Sequence, residues 1–140
     1  KDPSANTSYR TEAERAEEAK LAAQIQYAHA RATSILEQNT PEGHDSLPNA
    51  GDISDAEWRL VKAVMDFPDA VKDANIKRSP SQVAASTAEV AAAFNGFYEA
   101  LSVKKMATAR IAAGIGLTRA AQVTLQQGLG ILNIPAPKKM

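Results

Sequence analysis

Cysteine is absent from this sequence of 140 residues, and aromatic side chains make up only 5% of it. The lack of cysteine excludes disulfide bonds and thiolate metal sites. The two histidines, His29 and His44, have no partners at metal-ligand spacing, so we expect neither a metal ion nor another cofactor. Because aromatics are few and alanines many, a core must come from helices that approach closely through small side chains.

Long hydrophobic runs and catalytic motifs are missing as well. No window approaches the ~20 apolar residues that a membrane helix needs, and the first residues show no signal-peptide pattern. We therefore expect a cytoplasmic protein without membrane contact. The sequence has no Gly-rich phosphate loop after a strand, no HExxH and no cysteine nucleophile, so we predict no catalytic residues.

Charge is balanced in total but unevenly placed along the chain. The net charge is zero, yet the segment up to Val71 holds 13 acidic and 7 basic residues, whereas the rest holds 3 acidic and 9 basic. A basic C-terminal half suits a polyanionic partner, although basic helices are also common as plain soluble faces.

The stretch Gln26–Leu36, QYAHARATSIL, has the clearest periodicity in the chain. Apolar residues at three- and four-residue steps predict a buried stripe along a helix, and they are Leu21, Ile25, Ala28, Ala32, Ile35 and Leu36. A second row beside this stripe comprises Gln24, Tyr27, Arg31 and Ser34. Taken alone, that row either edges the core and pairs locally or forms a binding face.

Helix-start and helix-stop signals predict an all-α fold, a helical bundle of four to five helices. Residues 1–10 are expected to be a disordered or linker lead-in, and residues 11–140 a single domain. Capping boxes predict helix starts after Thr11 and Ser54, and Ser79 with Pro80 predicts a third. Glu89, Asn95 and Glu99 are expected on the solvent side of this third helix.

Three breaks are predicted after these starts. Residues 39–53 are rich in Gly, Pro, Asn and Asp and should form a loop. Phe67-Pro68 should interrupt the second helix, with a short helix following to about Ala74. Gly128 should end a last helix that runs from about Lys104 to Gln127. That helix is small or apolar nearly all round, which places it in the middle of the bundle.

Three blocks of the sequence together resemble one family. They are QYAHARATSIL at Gln26–Leu36, FNGFYEALSV at Phe94–Val103, and the ending ARIAAGIGLTRAAQVTLQQGLGILNIPAPKKM at Ala109–Met140. In this order they are similar to the C-terminal anticodon-binding domain of arginyl-tRNA synthetases, the all-α domain named after its D-A-L-R residues. DFPDAV at Asp66–Val71 fits the same pattern, and the resemblance covers roughly residues 24–140.

This resemblance implies a helical bundle that grips the anticodon stem and loop of arginine tRNA. Carried over residue by residue, it implies base contacts from Tyr27 and Arg31, from Tyr98, and from the terminal Met140. Splayed loop bases are read by stacking on rings, apolar groups and guanidinium planes. Phosphate contacts are expected from basic residues, namely Lys104, Lys105, Arg110, Arg119 and Lys138, while Lys138 and Lys139 also offset the terminal carboxylate.

The sequence departs from the family pattern near its start. Gln24 stands where family members usually carry an aromatic residue, and an acidic, Ala-rich segment, Thr11–Ala23, stands where the junction to a catalytic domain should be. The family's HIGH-like and KMSKS-like catalytic signatures are absent, so the chain is not expected to be an enzyme by itself. If it is excised from a longer chain, the parent is expected to be an arginine–tRNA ligase. The alternatives are a stand-alone or repurposed bundle acting in protein interaction or a tRNA-dependent pathway, and a small enzyme.

Overall fold

The computed structural model of the chain describes residues 11–38, 53–103 and 108–140, with the backbone alone at 102–103 and 108–113. These residues form four α-helices, which are α1 Glu12–Gln38, α2 Asp55–Lys77, α3 Ser81–Val103 and α4 Thr108–Ile131. The predicted all-α bundle is confirmed, with four helices. The expected lead-in at 1–10 and the loop at 39–52 lie outside the described residues.

Helices α3 and α4 form the centre of the bundle. Each packs against the other and against both α1 and α2, whereas α1 and α2 do not touch within the described ranges. The core between them is built from fully buried side chains, the largest being Phe94, Phe97, Ile25, Leu60 and Leu125. The central position predicted for α4 is confirmed. No helix in the described part of the chain is both long and apolar enough to span a membrane.

Helix α1 forms as its local signals predict. The backbone N–H of Thr11 donates to Glu14 Oε2 at 2.8 Å, and the N–H of Glu14 donates to Thr11 Oγ1 at 3.2 Å, which completes a capping box. The predicted apolar stripe is confirmed, because Ile25, Ala28 and Ala32 are at most 1% exposed. Burial of this stripe leaves the Tyr27–Arg31 row at the rim of the bundle.

Helix α2 does not break at Phe67-Pro68, so the predicted interruption and the separate short helix are wrong. It runs without interruption from Asp55 to Lys77, with Pro68 inside it. Proline removes one backbone donor, here the N–H that would bond the carbonyl of Val64. Leu60, Ala63 and Phe67 are buried on the inner side of α2, whereas Pro68 is exposed, so the proline lies on the solvent side of a helix that is held by packing over the turns before it. Ser54 caps the helix as predicted, accepting from the N–H of Glu57 at 3.2 Å.

Helices α2 and α3 are joined at the surface by a charge pair. The guanidinium of Arg59 donates from Nε to one oxygen of Glu89 at 3.0 Å and from Nη2 to the other at 3.4 Å. This hydrogen bonding, with the negative charge of Glu89, raises the pKa of Arg59 above its ordinary value. At the start of α3, Ser79 Oγ accepts from the N–H of Ser81 at 3.4 Å, so the predicted cap is confirmed.

The end of α4 also differs from the prediction, because Gly128 does not stop the helix. The chain leaves α4 three residues beyond it, and Asn133 takes the left-handed conformation with φ of 57°. The N–H of Ile134 bonds the carbonyl of Leu129 at 2.8 Å and that of Asn133 bonds the carbonyl of Gly130 at 3.1 Å, which is the Schellman arrangement.

Gly128 instead lies where α4 comes very close to the side chain of Thr87 on α3. A Cβ on this residue would lie 2.6 Å from Cγ2 of Thr87 and closer still to its Oγ1. The same test at Gly114 finds only an ordinary contact, 3.6 Å from Leu101 Cδ1. Gly128 is therefore explained by the packing of α4 against α3 and not by the end of a helix.

Candidate nucleic-acid interface

The guanidinium of Arg31 stacks on two tyrosine rings. Its central carbon lies 4.6 Å from the ring centroid of Tyr27 and 4.7 Å from that of Tyr98. A planar cation over an aromatic face is held by the ring's quadrupole as well as by contact. The three side chains therefore form one aromatic–cation stack, which we call the Tyr–Arg–Tyr stack.

Helical spacing and two hydrogen bonds fix this stack. Tyr27 and Arg31 are four residues apart on α1, so they lie on the same face, and Arg31 Nη2 donates to the Tyr27 hydroxyl at 2.7 Å. Arg31 Nη1 donates to Asn95 Oδ1 at 3.2 Å. Asn95 lies one turn before Tyr98 on α3, so the same helix supplies the ring and the acceptor. Asn95 is half-buried, and its predicted place on the solvent side is wrong.

The chain end is fastened to α1 beside the stack. Gln26 Nε2 donates to the carbonyl of Pro135 at 3.0 Å. His29 Nδ1 lies 2.9 Å from the carbonyl oxygen of Pro137. A carbonyl only accepts, so Nδ1 of this imidazole carries the hydrogen. His29 is 4% exposed, which makes it a buried contact between the helix and the chain end.

The stack and the chain end border one hollow of about 450 Å³. It is lined by Tyr27, Ala30, Arg31, Ser34, Ile35, Gln38, Tyr98, Lys138, Lys139 and Met140. The terminal Met140 is 66% exposed and Tyr27 is 46% exposed, so a thioether and a ring remain accessible to a ligand. Five of the predicted site residues thus meet here, from three separate parts of the chain.

The remaining predicted residues do not contribute to this hollow in the described structure. Arg119 is exposed on α4, makes an interaction within the chain and does not line the hollow. Lys104 and Lys105 lie outside the described residues, as does the side chain of Arg110. Their proposed contacts with phosphate remain predictions.

Sequence reasoning missed three residues that organise the site, namely Gln26, His29 and Asn95. Each is polar and adjoins a residue that the pattern placed in the core or the site. The signal was therefore a hydrogen-bonding side chain at a partly buried helical position, where it needs a partner. Nothing in the local sequence shows that the partners of Gln26 and His29 are carbonyls more than a hundred residues away.

The chemistry of the hollow suits unpaired nucleotides. Aromatic rings, a guanidinium plane and a thioether offer flat or polarisable surfaces for bases, and the two lysine ammonium groups offer charge for phosphate. Within the described ranges, no group of three or more His, Asp or Glu side chains is placed to hold a metal ion.

Comparison with known proteins places the chain in a family. The family model of the DALR anticodon binding domain matches residues 25–140. The chain is 36% identical over 121 residues to the arginine–tRNA ligase of Listeria monocytogenes serotype 4a (strain HCC23). It is 37% identical over 124 residues to the arginine–tRNA ligase of Geobacillus kaustophilus (strain HTA426). Each match covers 83% of this chain but only 22% of the relative, so the chain spans about a fifth of those enzymes.

A solved structure supports the same placement. Thermus thermophilus arginyl-tRNA synthetase superposes with a TM-score of 0.73 at 32% identity, over 83% of this chain and 20% of that one. Fold, sequence blocks and matched range agree from α1 to the terminal methionine. The chain belongs to the DALR anticodon-binding domain family.

Proposed function

We propose that this chain binds the anticodon stem-loop of a tRNA, and that the tRNA is an arginine tRNA. The observation that carries the proposal is the Tyr–Arg–Tyr stack with the terminal Met140 at its side. The stack presents ring and cation planes at a hollow wide enough for an unstacked base, and loop bases are recognised by such planes. Membership of the anticodon-binding family and the relatives' activity as arginine–tRNA ligases support the choice of RNA.

In this proposal the site residues divide by chemistry. Tyr27, Tyr98 and Met140 contact bases, Arg31 holds the two rings in place and adds positive charge, and Lys138 contacts phosphate. Catalysis is not assigned to the chain itself. If the chain is part of a longer protein, that protein is an arginine–tRNA ligase, whose reaction this domain serves by holding the anticodon end of the substrate.

The test measures binding of a fluorescent RNA hairpin that reproduces the anticodon stem and loop of an arginine tRNA. We expect micromolar or tighter binding by anisotropy at low salt, and weaker binding of a hairpin with the same stem but a short, closed loop. Tyr98→Ala should weaken the first complex by about 1–3 kcal/mol, the worth of one base stack. Trp58→Ala removes an aromatic residue that is 55% exposed on α2, away from the hollow, and should leave the affinity for both hairpins unchanged. Equal binding of both hairpins would refute anticodon recognition.

A protein partner is the second candidate function, and α2 provides the observation that favours it. Trp58, Met65 and Ile76 are 55%, 67% and 69% exposed, and their spacing places them on one face of the helix. Exposed apolar residues along one helix face are typical of a protein-binding surface. A partner retained after RNase treatment, lost with Trp58→Ala and kept with Tyr98→Ala would establish this function. A partner that is lost after RNase treatment and with Tyr98→Ala, but kept with Trp58→Ala, would assign the interaction to RNA.

A further inference from the structure

The last residues of the chain run along α1 in a regular way. After the turn at Asn133, the side chains of Ile134 and Ala136 pack against the core. The carbonyls of the residues that follow each of them, Pro135 and Pro137, accept hydrogen bonds from α1. The alternation is that of an extended segment, in which neighbouring residues face opposite ways. The side chains of Ile134 and Ala136 thus hold the tail against the core, while the backbone carbonyls of the alternate residues are bonded to the helix.

The two donors on α1 match the spacing of the tail. Gln26 and His29 are three residues apart, so they lie one above the other on the same face of the helix. They bond carbonyls two residues apart in the tail, and the later donor takes the later carbonyl. The tail therefore runs in the same direction as α1. After a bend at Lys138, residues 138–140 line the hollow together with Arg31, Ser34 and Gln38 from the next turns of α1.

His29 is more than a packing residue. Its Nε2 is buried and has no hydrogen-bond partner among the described residues. Burying a polar atom without a partner is unfavourable, so an apolar side chain of similar size would fill this space better. What the imidazole provides in return is the Nδ1–H that holds the carbonyl of Pro137.

We propose that Gln26 and His29 are positioning residues of the RNA site, which fasten the chain end so that Met140 and the two terminal lysines stay beside the Tyr–Arg–Tyr stack. The inference rests on the proposed function for the RNA and on the two tail contacts for the anchoring. Neither side chain is assigned a contact with nucleotides. Their effect passes through the position of residues 138–140.

Anchoring is tested without RNA, by NMR order parameters of the backbone amides of residues 138–140. We expect values near those of rigid backbone, about 0.85, in the unsubstituted chain, and values below about 0.6 with Gln26→Ala or His29→Ala. His29→Asn keeps an N–H near the place of Nδ1 and should preserve the rigid tail. Gln122→Ala is the matched control, because this half-buried glutamine bonds Thr33 at 3.0 Å and not the tail.

The RNA role is tested with the same variants and the anticodon hairpin. Gln26→Ala and His29→Ala should weaken binding roughly threefold to fivefold, no more than the smallest loss expected for a complete base stack. His29→Asn and Gln122→Ala should leave the affinity unchanged. In a chain whose Lys138, Lys139 and Met140 are all alanine, adding Gln26→Ala should cause no further loss, because the two changes act through one contact.

Three results would overturn the inference. The first is that Gln26→Ala or His29→Ala weakens RNA binding while the order parameters of residues 138–140 stay unchanged. The second is that either variant lowers these order parameters while the affinity for RNA stays unchanged. The third is that the loss from Gln26→Ala adds in full to the loss in the chain with alanine at positions 138–140. Gln26 is half-buried, so Gln26→Ala reports even if His29→Ala fails to fold. If the unsubstituted chain binds no hairpin, the proposed function fails and so does the RNA role, while the order parameters still decide the anchoring.

Discussion

Arg31 makes more contacts within the site than any other predicted base-reading residue. Its side chain touches two rings and donates to Tyr27 and Asn95. A side chain held in this way keeps Tyr27 on α1 and Tyr98 on α3 at a fixed separation before a ligand arrives. Binding surfaces that are ordered in advance lose less entropy when the ligand binds.

Arg31→Lys is therefore expected to act as a loss of the Arg31 interactions rather than as a conservative change. An ammonium group lacks the planar fork that donates to Asn95 and Tyr27 while stacking on both rings. We expect hairpin binding roughly tenfold weaker, or about 1.4 kcal/mol, by anisotropy. Arg59→Lys is the control, since Arg59 pairs with Glu89 on the α2–α3 surface away from the hollow. Affinity for the hairpin equal to that of the unsubstituted chain would show that charge alone, not the fork, is what Arg31 contributes.

Some residues of the site could be predicted from the sequence and others could not, for a physical reason. Tyr27 and Arg31 follow from helical steps along α1, because neighbours on one helix face are set by local geometry. Tyr98 and Met140 entered through the family resemblance, since periodicity cannot bring α3 and the chain end to α1. Periodicity alone predicts Asn95 on the solvent side, because local spacing cannot show a contact with Arg31, which lies 64 residues away.

The elements show the same division between local and tertiary effects. The caps at Thr11, Ser54 and Ser79 were predicted correctly, because a cap is satisfied within three residues. The stops at Pro68 and Gly128 were wrong, because packing against neighbouring helices decides whether a weakened helix continues. Both residues lower helix propensity, yet each lies in a helix with several residues buried in the core.

Gly128 allows a direct test of this tertiary effect. Gly128→Ala raises helix propensity but places a Cβ against Thr87, whose Oγ1 is held by the carbonyl of Val83 at 2.6 Å and cannot rotate away freely. We expect a loss of about 1–3 kcal/mol in the free energy of unfolding, measured by urea denaturation.

Gly130, two residues later on the same helix, is the matched control for this change. A Cβ there meets nothing within 4 Å, so Gly130→Ala should raise the free energy of unfolding by about 0.5–1 kcal/mol. Adding Thr87→Ala to Gly128→Ala should recover part of the loss, because it removes the atoms that collide. Similar urea midpoints for the two glycine variants would show that close helix approach is not what Gly128 provides.

The whole molecule combines zero net charge with a basic chain end beside the stack. Acidic residues concentrate at the start of α1, where Glu12 and Glu14 lie in the first turn. The hollow instead lies along the C-terminal half of α1, with Lys138 and Lys139 at its edge. RNA is thus expected to meet the end of the bundle that carries the terminal lysines.

This arrangement predicts a modest dependence of RNA binding on salt. Each lysine that neutralises a phosphate of a single strand contributes about 0.7 to the slope of log K against log salt. Lys138→Gln and Lys139→Gln together should lower the magnitude of the slope by up to about 1.4, measured by anisotropy across a salt series. Tyr98→Ala should weaken binding at every salt concentration and leave the slope unchanged, since a ring releases no counterions.

Lys72→Gln with Lys77→Gln is the charge-matched control, because both lysines are exposed on α2, which does not contact α1 in the described structure. The control pair should leave the slope unaltered if the chain end is where phosphates bind. An equal change of slope in both double variants would indicate a general attraction of RNA to a less acidic protein. No change with Lys138→Gln and Lys139→Gln would mean that these lysines only offset the terminal carboxylate, and that the phosphates are bound by basic residues elsewhere in the chain.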